Sequence, residues 1–213
     1  CGIFAEPTFK SEMVNQALEL EQVEIVDRKD SWLKICLMPD GYRGWIHEMY
    51  LNDLTSSEDY LKDIDMNKFS NFPIIKTALE MLGKPYLWGG RSSQGYDCSG
   101  LIQTTMNSLG FQFPRDTKDQ INSDLLYEIE LEDVKEQDFL FFQENNVVSH
   151  VAISISESIK VENNSKLAFH IIHSSGMVRV SRVIFDKLLY AFIDEGNKNE
   201  IKLYKAMRLK ENE

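Results

Sequence analysis

The sequence predicts an α+β fold in which helices pack on an antiparallel sheet, preceded by a small β-barrel. Two features of the chain lead to this prediction. Residues 1 to about 55 contain short strand-like runs at close spacing, broken by turn residues, which is typical of a small barrel. After a polar segment, helical patterns come first and strand-like segments follow, and this order indicates an α+β domain. The 213 residues suffice for one small and one medium domain.

The N-terminal barrel is predicted from three strand-like runs, VEIVDR, WLKICLM and YRGWIH, with turn residues between them. Trp32 and Trp45 are expected in its core, Cys36 as a buried small side chain and His47 on its surface. A polar, acidic segment follows and is predicted to be a linker. The barrel, the linker and the second domain are assigned to residues 1–56, 57–69 and 70–213.

The second domain begins with two helical patterns. NFPIIKTALEMLG has Pro73 in its first turn, an apolar stripe and Gly83 at its end. YDCSGLIQTTMNSLG has apolar residues at helical spacing and ends at Gly110. In PRDTKDQ, Thr117 and Gln120 fit the capping box of a third, short helix. The strand-like segments that complete the domain are QDFLFFQ, SHVAISIS, KLAFHIIHSS, MVRVSRV and IKLYKAMR.

Composition excludes several classes of function. The formal net charge is −11, whereas nucleic acids and anionic membranes attract basic surfaces, so neither partner is expected. No apolar run approaches the roughly 18 residues that span a bilayer, and no signal peptide is visible. We therefore expect a cytoplasmic protein that has lost an initiator methionine before Cys1. The alternative is a lipoprotein signal, which would make the protein exported and lipid-anchored through Cys1. The three cysteines predict neither a metal site nor a required disulfide, and no cofactor is expected.

A candidate nucleophile lies in the Asp-Cys-Ser-Gly turn. Cys98 starts a predicted helix, where the helix dipole and free backbone N–H groups favour a thiolate and can bind an oxyanion. Such a nucleophile requires a base and a group that orients the base. His150 opens a strand and is a candidate, while His170 and His173 face opposite sides of one strand, so either remains possible as its partner. The alternatives are a packing role for Cys98 and a surface position for His150.

Three blocks of the sequence resemble a known family. KPYLWGGRSSQGYDCSGLIQ, SHVAIS and IIHSSGMVRVSRV are similar, in this order, to the signature blocks of the NlpC-type, papain-like bacterial cell-wall peptidases. The resemblance implies a papain-like catalytic domain in which Cys98 is the nucleophile, His150 the general base and His173 the residue that orients His150. It also implies that Tyr86 helps to polarise the scissile carbonyl. The chain between the two histidines is longer than usual for the family, and SESIKVENNSKL is predicted to form a longer hairpin.

The N-terminal run EPTFKSEMVNQALELEQVEIVDRKDSWLKICLMPDGYRGWI resembles a bacterial SH3-like domain. Its pairing with this catalytic domain is similar to the γ-D-glutamyl-L-diamino acid endopeptidases. That resemblance implies cleavage of murein stem peptides after L-Ala-γ-D-Glu, a requirement for a free N-terminal L-Ala, and recycling of small peptides. One alternative is a secreted endopeptidase that acts on polymeric peptidoglycan and uses the SH3-like domain as a wall anchor. An acyl transferase and a catalytically inactive binding module are further alternatives.

The amine of L-Ala would require carboxylates near the cleft. The resemblance places Asp116 at an amine-binding position and Thr117 where this subgroup usually has serine. Glu12 and Tyr42 are the candidates from the SH3-like region. The alternatives are a helix cap for Thr117, a supporting role for Asp116 and a solvated turn for Glu12.

The γ-D-Glu portion of the substrate would bind beside the nucleophile. Asp97 and Ser99 flank Cys98 and match positions that bind this portion in the family. Trp88 in PYLWGG is expected to form a wall of the same subsite. The resemblance implies a mechanism that needs neither a metal nor a cofactor.

Overall fold

The structure is a computed structural model. It describes residues 1–17, 21–38, 41–50, 66–161, 166–185, 190–193 and 200–210. The predicted domain boundary at residue 56 and most of the predicted linker lie outside these ranges. The last residues of that linker lie in a 3-10 helix, Met66–Asn71, and the predicted domain boundaries stay a prediction.

The N-terminal region is a five-stranded antiparallel sheet with the order β2-β1-β5-β4-β3. Its strands are β1 Gly2–Phe4, β2 Met13–Gln16, β3 Val23–Lys29, β4 Trp32–Leu37 and β5 Arg43–His47. The three predicted strand runs are all present. Apolar residues at alternate positions, such as Leu33, Ile35 and Leu37, point into a small core. Cys36 was predicted to be buried but is only half-buried, because alternation turns it away from that core.

Among the described residues, three α-helices form one layer of the second domain. They are α1 Pro73–Leu79, α2 Cys98–Ser108 and α3 Thr117–Gln120. The predicted capping box was wrong: Asp116 is the N-cap of α3. The amide of Gln120 instead donates to the carbonyls of Ser99 and Pro114, each at 2.9 Å, because tertiary acceptors are available to it. None of the helices that the structure describes is long and apolar enough to cross a membrane.

The strands of the second domain are antiparallel, as predicted, and they close into a barrel, a feature that the sequence analysis did not specify. The central strands are β9 Phe139–Glu144, β10 Val147–Ser154, β12 Lys166–Ser175, β13 Met177–Phe185, β14 Tyr190–Ile193 and β15 Glu200–Leu209. Their order is β10-β9-β15-β14-β13-β12, and β10 also pairs with β12, which closes the ring. The short strands are β6 Arg91–Ser92, β7 Gly95–Tyr96, β8 Leu126–Ile129 and β11 Ile159–Val161.

Closure of the barrel gives β10 two buried faces. Val151 and Ile153 pack against the helices, together with Leu101 and Ile102 of α2. Ala152 points into the barrel interior, which is filled largely by phenylalanine side chains. Strand β10 is therefore held firmly between two cores, and His150 lies at the end of its buried part.

The two strands of the predicted long hairpin are present. Strand β11 pairs with β12 in an antiparallel register, in which Ile159 faces Ala168. The tip of the hairpin, residues 162–165, lies outside the described residues.

Candidate active site

The local fold around Cys98 fixes the start of α2. Asp97 is the N-cap, and its carboxylate accepts a hydrogen bond from the backbone N–H of Gly100 at 2.6 Å. A Cβ atom on Gly100 would lie 2.0 Å from the carbonyl oxygen of Gly90, so only glycine fits there. The thiol-bearing residue is consequently held in the first helical turn, with an exposed fraction of only 8%.

Arg115, which the sequence analysis missed, holds the turn from the other side. Its guanidinium donates to both carboxylate oxygens of Asp97, at 3.0 and 2.6 Å, and to the hydroxyl of Ser99 at 2.9 Å. The backbone N–H of Gly89 also donates to Asp97, at 2.8 Å. The Asp97 carboxylate is thus saturated by protein donors and anchors the nucleophile turn. Contact of Asp97 and Ser99 with substrate stays a prediction.

Two histidines form a hydrogen-bonded pair beside this turn. His150 Nε2 lies 2.9 Å from His173 Nδ1, and the rings are nearly perpendicular. His173 Nε2 lies 2.9 Å from the hydroxyl oxygen of Ser181, a second residue that the sequence did not reveal. His170 lies elsewhere and is half-buried, and its backbone N–H donates to Ser156. The structure therefore places His173, and not His170, against His150.

The sulfur of Cys98 lies against the strand that carries His150. Its thiol is 3.9 Å from the carbonyl oxygen of Ser149, the residue before His150. Hydrogen bonds from the backbone of Val151 and Ser99 and from the Thr117 side chain lower the pKa of Cys98. Thr117 thus contacts the nucleophile instead of capping α3. Because Nε2 of His150 is engaged by His173, Nδ1 is the nitrogen that remains for the thiol.

Burial decides the resting protonation states. It raises the pKa of Cys98 to about 11, and the charge of Asp97 raises it further. Burial, with Arg179 and Lys10, lowers the pKa of His150 to about 4. Burial and Arg179 also lower the pKa of His173 well below its ordinary value. The sequence predicted a thiolate from the helix dipole. The structure instead favours a neutral thiol beside a neutral imidazole, because desolvation outweighs the dipole.

A cavity of about 280 Å³ joins these groups to the SH3-like region. Cys98, His150 and His173 form one side of it. The other side contains the SH3-like residues Phe9, Lys10, Trp32, His47 and Met49. Within the part of the chain that the structure describes, no group of three or more potential ligands could hold a metal ion.

The prediction that His47 lies on the surface was wrong. Its exposed fraction is 6%, and its ring lies 5.3 Å from the rings of both Phe9 and Trp32. Its Nδ1 accepts a hydrogen bond from the backbone N–H of Met49 at 3.3 Å. Burial lowers the pKa of His47 to about 4. Docking of the two domains covers this histidine, which a strand pattern alone could not reveal.

Tyr86 lies where the two domains meet. Its ring is 5.6 Å from that of Phe9, and its backbone N–H donates to the carbonyl of Gly176 at 2.8 Å. The hydroxyl of Tyr50 donates to the same carbonyl. Burial raises the pKa of Tyr86, so its hydroxyl stays protonated and can act as a donor. The structure brings Tyr86 to the cavity that contains Cys98.

A second groove, of about 370 Å³, adjoins the first. Glu12 and Trp88 line it, and both side chains are exposed. Phe9, Lys10 and Tyr86 line both cavities, so the groove continues directly from the nucleophile side. Glu12 therefore lines the groove next to the catalytic cavity, and its contact with substrate stays a prediction.

Two predicted amine-binding residues lie outside these two cavities. Asp116 is exposed at the start of α3, forms no capping hydrogen bond, and raises the pKa of Arg115 together with Asp97. Tyr42 donates from its hydroxyl to the carbonyl of Val14 at 3.2 Å. Neither lines the catalytic cavity or the adjoining groove. Their contact with a substrate amine stays a prediction.

Comparison with known proteins identifies both regions. The family model of the NlpC/P60 family matches residues 83–184, and that of the bacterial dipeptidyl-peptidase Sh3 domain matches residues 3–51. A γ-D-glutamyl-L-lysine dipeptidyl-peptidase of Bacillus cereus is 32% identical over 124 residues, which are 57% of this chain and 35% of that protein. The protein of the same name from Bacillus subtilis is 38% identical over 85 residues, covering 38% and 28% of the two chains.

A solved structure is also similar. An NLP/P60-family, lipoprotein-like protein from Staphylococcus aureus is 26% identical, with a TM-score of 0.47, over 79% of this chain and 52% of that one. The chain spans about a third of the length of the two Bacillus relatives. The two family matches confirm the resemblance that the sequence blocks indicated. The chain therefore carries a domain of the NlpC/P60 family behind a bacterial dipeptidyl-peptidase SH3 domain.

Proposed function

We propose that the protein is a cysteine endopeptidase that hydrolyses the γ-D-glutamyl-L-diamino acid bond of murein peptides with a free N-terminal L-Ala. The supporting observation is the cavity that joins Cys98 to the paired histidines and continues into a groove lined by Glu12. The names of the two Bacillus relatives agree with this bond type. Recycling of small murein peptides is the role that follows.

The reaction begins with proton transfer from Cys98 to Nδ1 of His150. Because burial disfavours both charged forms, the transfer is coupled to attack of the sulfur on the γ-D-glutamyl carbonyl. The hydrogen bonds from Val151, Ser99 and Thr117 stabilise negative charge on the sulfur at that moment. His150 then gives its proton to the leaving amine of the diamino acid, and a thioester remains on Cys98.

Hydrolysis of the thioester completes the cycle. His150 takes a proton from water, which attacks the acyl carbonyl and frees L-Ala-γ-D-Glu. The backbone N–H of Cys98 and the hydroxyl of Tyr86 are the donors for the oxyanion of both steps. Burial supports this role of Tyr86, because its raised pKa keeps the hydroxyl proton in place.

Selection of a free amine is assigned to the groove. The Glu12 carboxylate is the acidic group that lines it, and an ammonium group bound there would form a charge-assisted hydrogen bond. Trp88 offers an exposed ring for the apolar part of the peptide. Asp116 is the second carboxylate proposed for the amine, on the basis of the family resemblance.

Two matched substrates test the proposal in a mass-spectrometric digest. One is free L-Ala-γ-D-Glu-diaminopimelate, and the other is the same peptide with its L-Ala amine blocked by the lactyl group of murein. We expect cleavage of the free peptide alone. Equal cleavage of both would contradict amine selection and favour an endopeptidase that acts on polymeric peptidoglycan. Cleavage of neither would contradict the proposed bond.

The Glu12→Gln variant tests the carboxylate with the same two substrates. Loss of the charge should raise KM for the free peptide about tenfold, since a charge-assisted hydrogen bond contributes about 1.5–3 kcal/mol before solvent screening at an exposed site. Glu6→Gln is the matched control, because Glu6 is exposed on the same segment and lines neither cavity. An unchanged KM in Glu12→Gln would remove Glu12 from the amine site.

A further inference from the structure

Ser181 belongs to a series of hydrogen-bonded groups that also contains His150 and His173. His150 Nε2 lies 2.9 Å from His173 Nδ1, and His173 Nε2 lies 2.9 Å from Ser181 Oγ. In the antiparallel pair of β12 and β13, His173 faces Arg179, so Ser181 is its diagonal neighbour. His173 and Ser181 have exposed fractions of 1% and 0%. The contact is therefore built into the packed interior.

We propose that Ser181 is a positioning residue that selects the reactive tautomer of the histidine pair by accepting the hydrogen bond of His173 Nε2. The inference rests on the proposed function, in which Nδ1 of His150 takes the proton of Cys98. A neutral imidazole has one protonated nitrogen and one acceptor nitrogen. For Nδ1 of His150 to accept, Nε2 must carry the proton and donate to Nδ1 of His173. His173 then carries its own proton on Nε2, and Ser181 accepts that hydrogen bond.

Removal of the hydroxyl would penalise this tautomer selectively. In a Ser181→Ala variant, the reactive form would bury an N–H group of His173 with its acceptor removed. The opposite form would bury only a nitrogen lone pair there, and unsatisfied acceptors are less costly than unsatisfied N–H donors. In the opposite form His173 donates to Nε2 of His150, and the proton of His150 lies on Nδ1. That proton blocks the acceptance of the Cys98 proton.

The same chain of contacts acts during the reaction. Once His150 has taken the thiol proton, both of its nitrogens carry protons, and Nε2 must donate to His173. His173 can accept only while its own proton is on Nε2 and bound to Ser181. The Ser181 hydroxyl therefore stabilises the charged intermediate state as well as the resting tautomer.

Steady-state kinetics on L-Ala-γ-D-Glu-diaminopimelate give the first test. Ser181→Ala should lower kcat about tenfold and leave KM unchanged, because one buried hydrogen bond is lost on the proton path. Ser154→Ala is the matched control, because Ser154 is also fully buried in the barrel wall and its hydroxyl donates to the backbone carbonyl of Ser156. The control should stay within twofold of the wild type. If Ser181→Ala fails to fold, Ser181→Cys keeps the volume and supplies only a weak acceptor.

A double variant separates positioning from packing. In a His173→Gln background, the amide oxygen can accept from His150 without a tautomer to select. Adding Ser181→Ala there should change kcat by less than twofold. An equal loss in both backgrounds would show that Ser181 acts through packing and would overturn the proposal.

Two substrate-free measurements decide the proposal even if the wild type cleaves none of these peptides. The ¹⁵N signals of the His150 ring should show an unprotonated Nδ1 in the wild type and a protonated one in Ser181→Ala. Alkylation of Cys98 by iodoacetamide, followed by peptide mapping, should be about tenfold slower in the variant. Unchanged signals with unchanged alkylation would overturn the role of Ser181. Failure of the wild type on all peptides would overturn only the proposed function.

Discussion

The two walls of the catalytic cavity differ in how their side chains are held. On the NlpC/P60 side, Cys98 follows an N-cap residue, Asp97, whose carboxylate is saturated by donors, and His150 is hydrogen-bonded to the buried His173. On the SH3 side, Phe9 and Trp32 contact each other through their rings, 4.7 Å apart, and His47 packs against both. The first wall is organised by directed polar contacts, and the second by aromatic packing. Chemistry is therefore assigned to one domain and the shape of the cavity to the other.

The histidines of the two walls sharpen this difference. Both His150 and His47 are buried enough for their pKa to fall to about 4. Nε2 of His150 connects to a chain of further groups, whereas Nδ1 of His47 accepts from the backbone N–H of Met49, two residues away in its own segment. A lowered pKa thus does not by itself identify a catalytic base. The two histidines differ in their hydrogen-bond partners: His150 is bound to the side chain of His173, and His47 to a backbone N–H group.

The largest effect is expected when the nucleophile is removed from the NlpC/P60 side of the cavity. Cys98→Ala should lower kcat for L-Ala-γ-D-Glu-diaminopimelate by about 10⁴-fold or more, because removal of a nucleophile leaves only binding and oxyanion stabilisation. Product formation measured by mass spectrometry gives the rate. Cys36→Ala is the control, since Cys36 lies in the SH3 sheet away from both cavities. Residual activity near that of the wild type would exclude Cys98 as the nucleophile.

The residues on the NlpC/P60 side of the cavity were also easier to predict from the sequence than those on the SH3 side. Cys98 with its glycine-bearing turn is a local pattern, and so is a histidine at a strand end, which is why residue types and spacing sufficed to nominate them. Arg115 was missed because it contacts residues that lie 16 or more positions away in the sequence. Ser181 was missed because its contact with His173 joins two strands, over a separation of 8 residues. Strand alternation could not choose between His170 and His173, because both faces of a barrel strand can be buried.

The SH3 domain was predictable from the sequence, but the side chains with which it lines the cavity were not. Strand runs and turn residues predicted its sheet, while Phe9 and His47 gave no local signal of their position. Their burial arises from docking, and docking depends on the shape of two surfaces that are distant in sequence. For the same reason Gln120 was misplaced: a tertiary acceptor at Ser99 outcompeted its local capping partner.

A smaller effect is expected when the shape of the SH3 wall is changed. The Phe9 ring contacts Tyr86, Trp32 and His47, so Phe9→Ala should widen the cavity and raise KM about tenfold while kcat changes less than threefold. Separate determination of kcat and KM checks this split. Ile25→Ala is the control, because Ile25 is an exposed apolar residue on the edge strand of the same sheet. A fall in kcat with unchanged KM would mean that the SH3 wall takes part in the chemistry.

The smallest effect concerns the stability that His47 links to pH. The pKa of His47 in the folded state, about 4, lies below the ordinary value of 6.5. Between these two values His47 is therefore protonated in the unfolded chain and neutral in the folded chain. The contribution of His47 is fully present above pH 6.5 and is lost as the pH falls toward 4. The slope of the unfolding free energy in that window is at most about 1.4 kcal/mol per pH unit for one histidine.

Urea unfolding of the wild type and of His47→Gln between pH 7.5 and pH 4.5 isolates this term. His150 and His173 also reduce the free energy of unfolding as the pH falls, but they do so equally in both proteins. The difference between the two curves therefore reports His47 alone. The variant should be less stable at pH 7.5, where packing is lost, and its curve should be flatter below pH 6.5. Parallel curves would mean that His47 titrates equally in the folded and unfolded states. The aromatic wall would then be open to water, and its assignment as the shape-determining side of the cavity would be wrong.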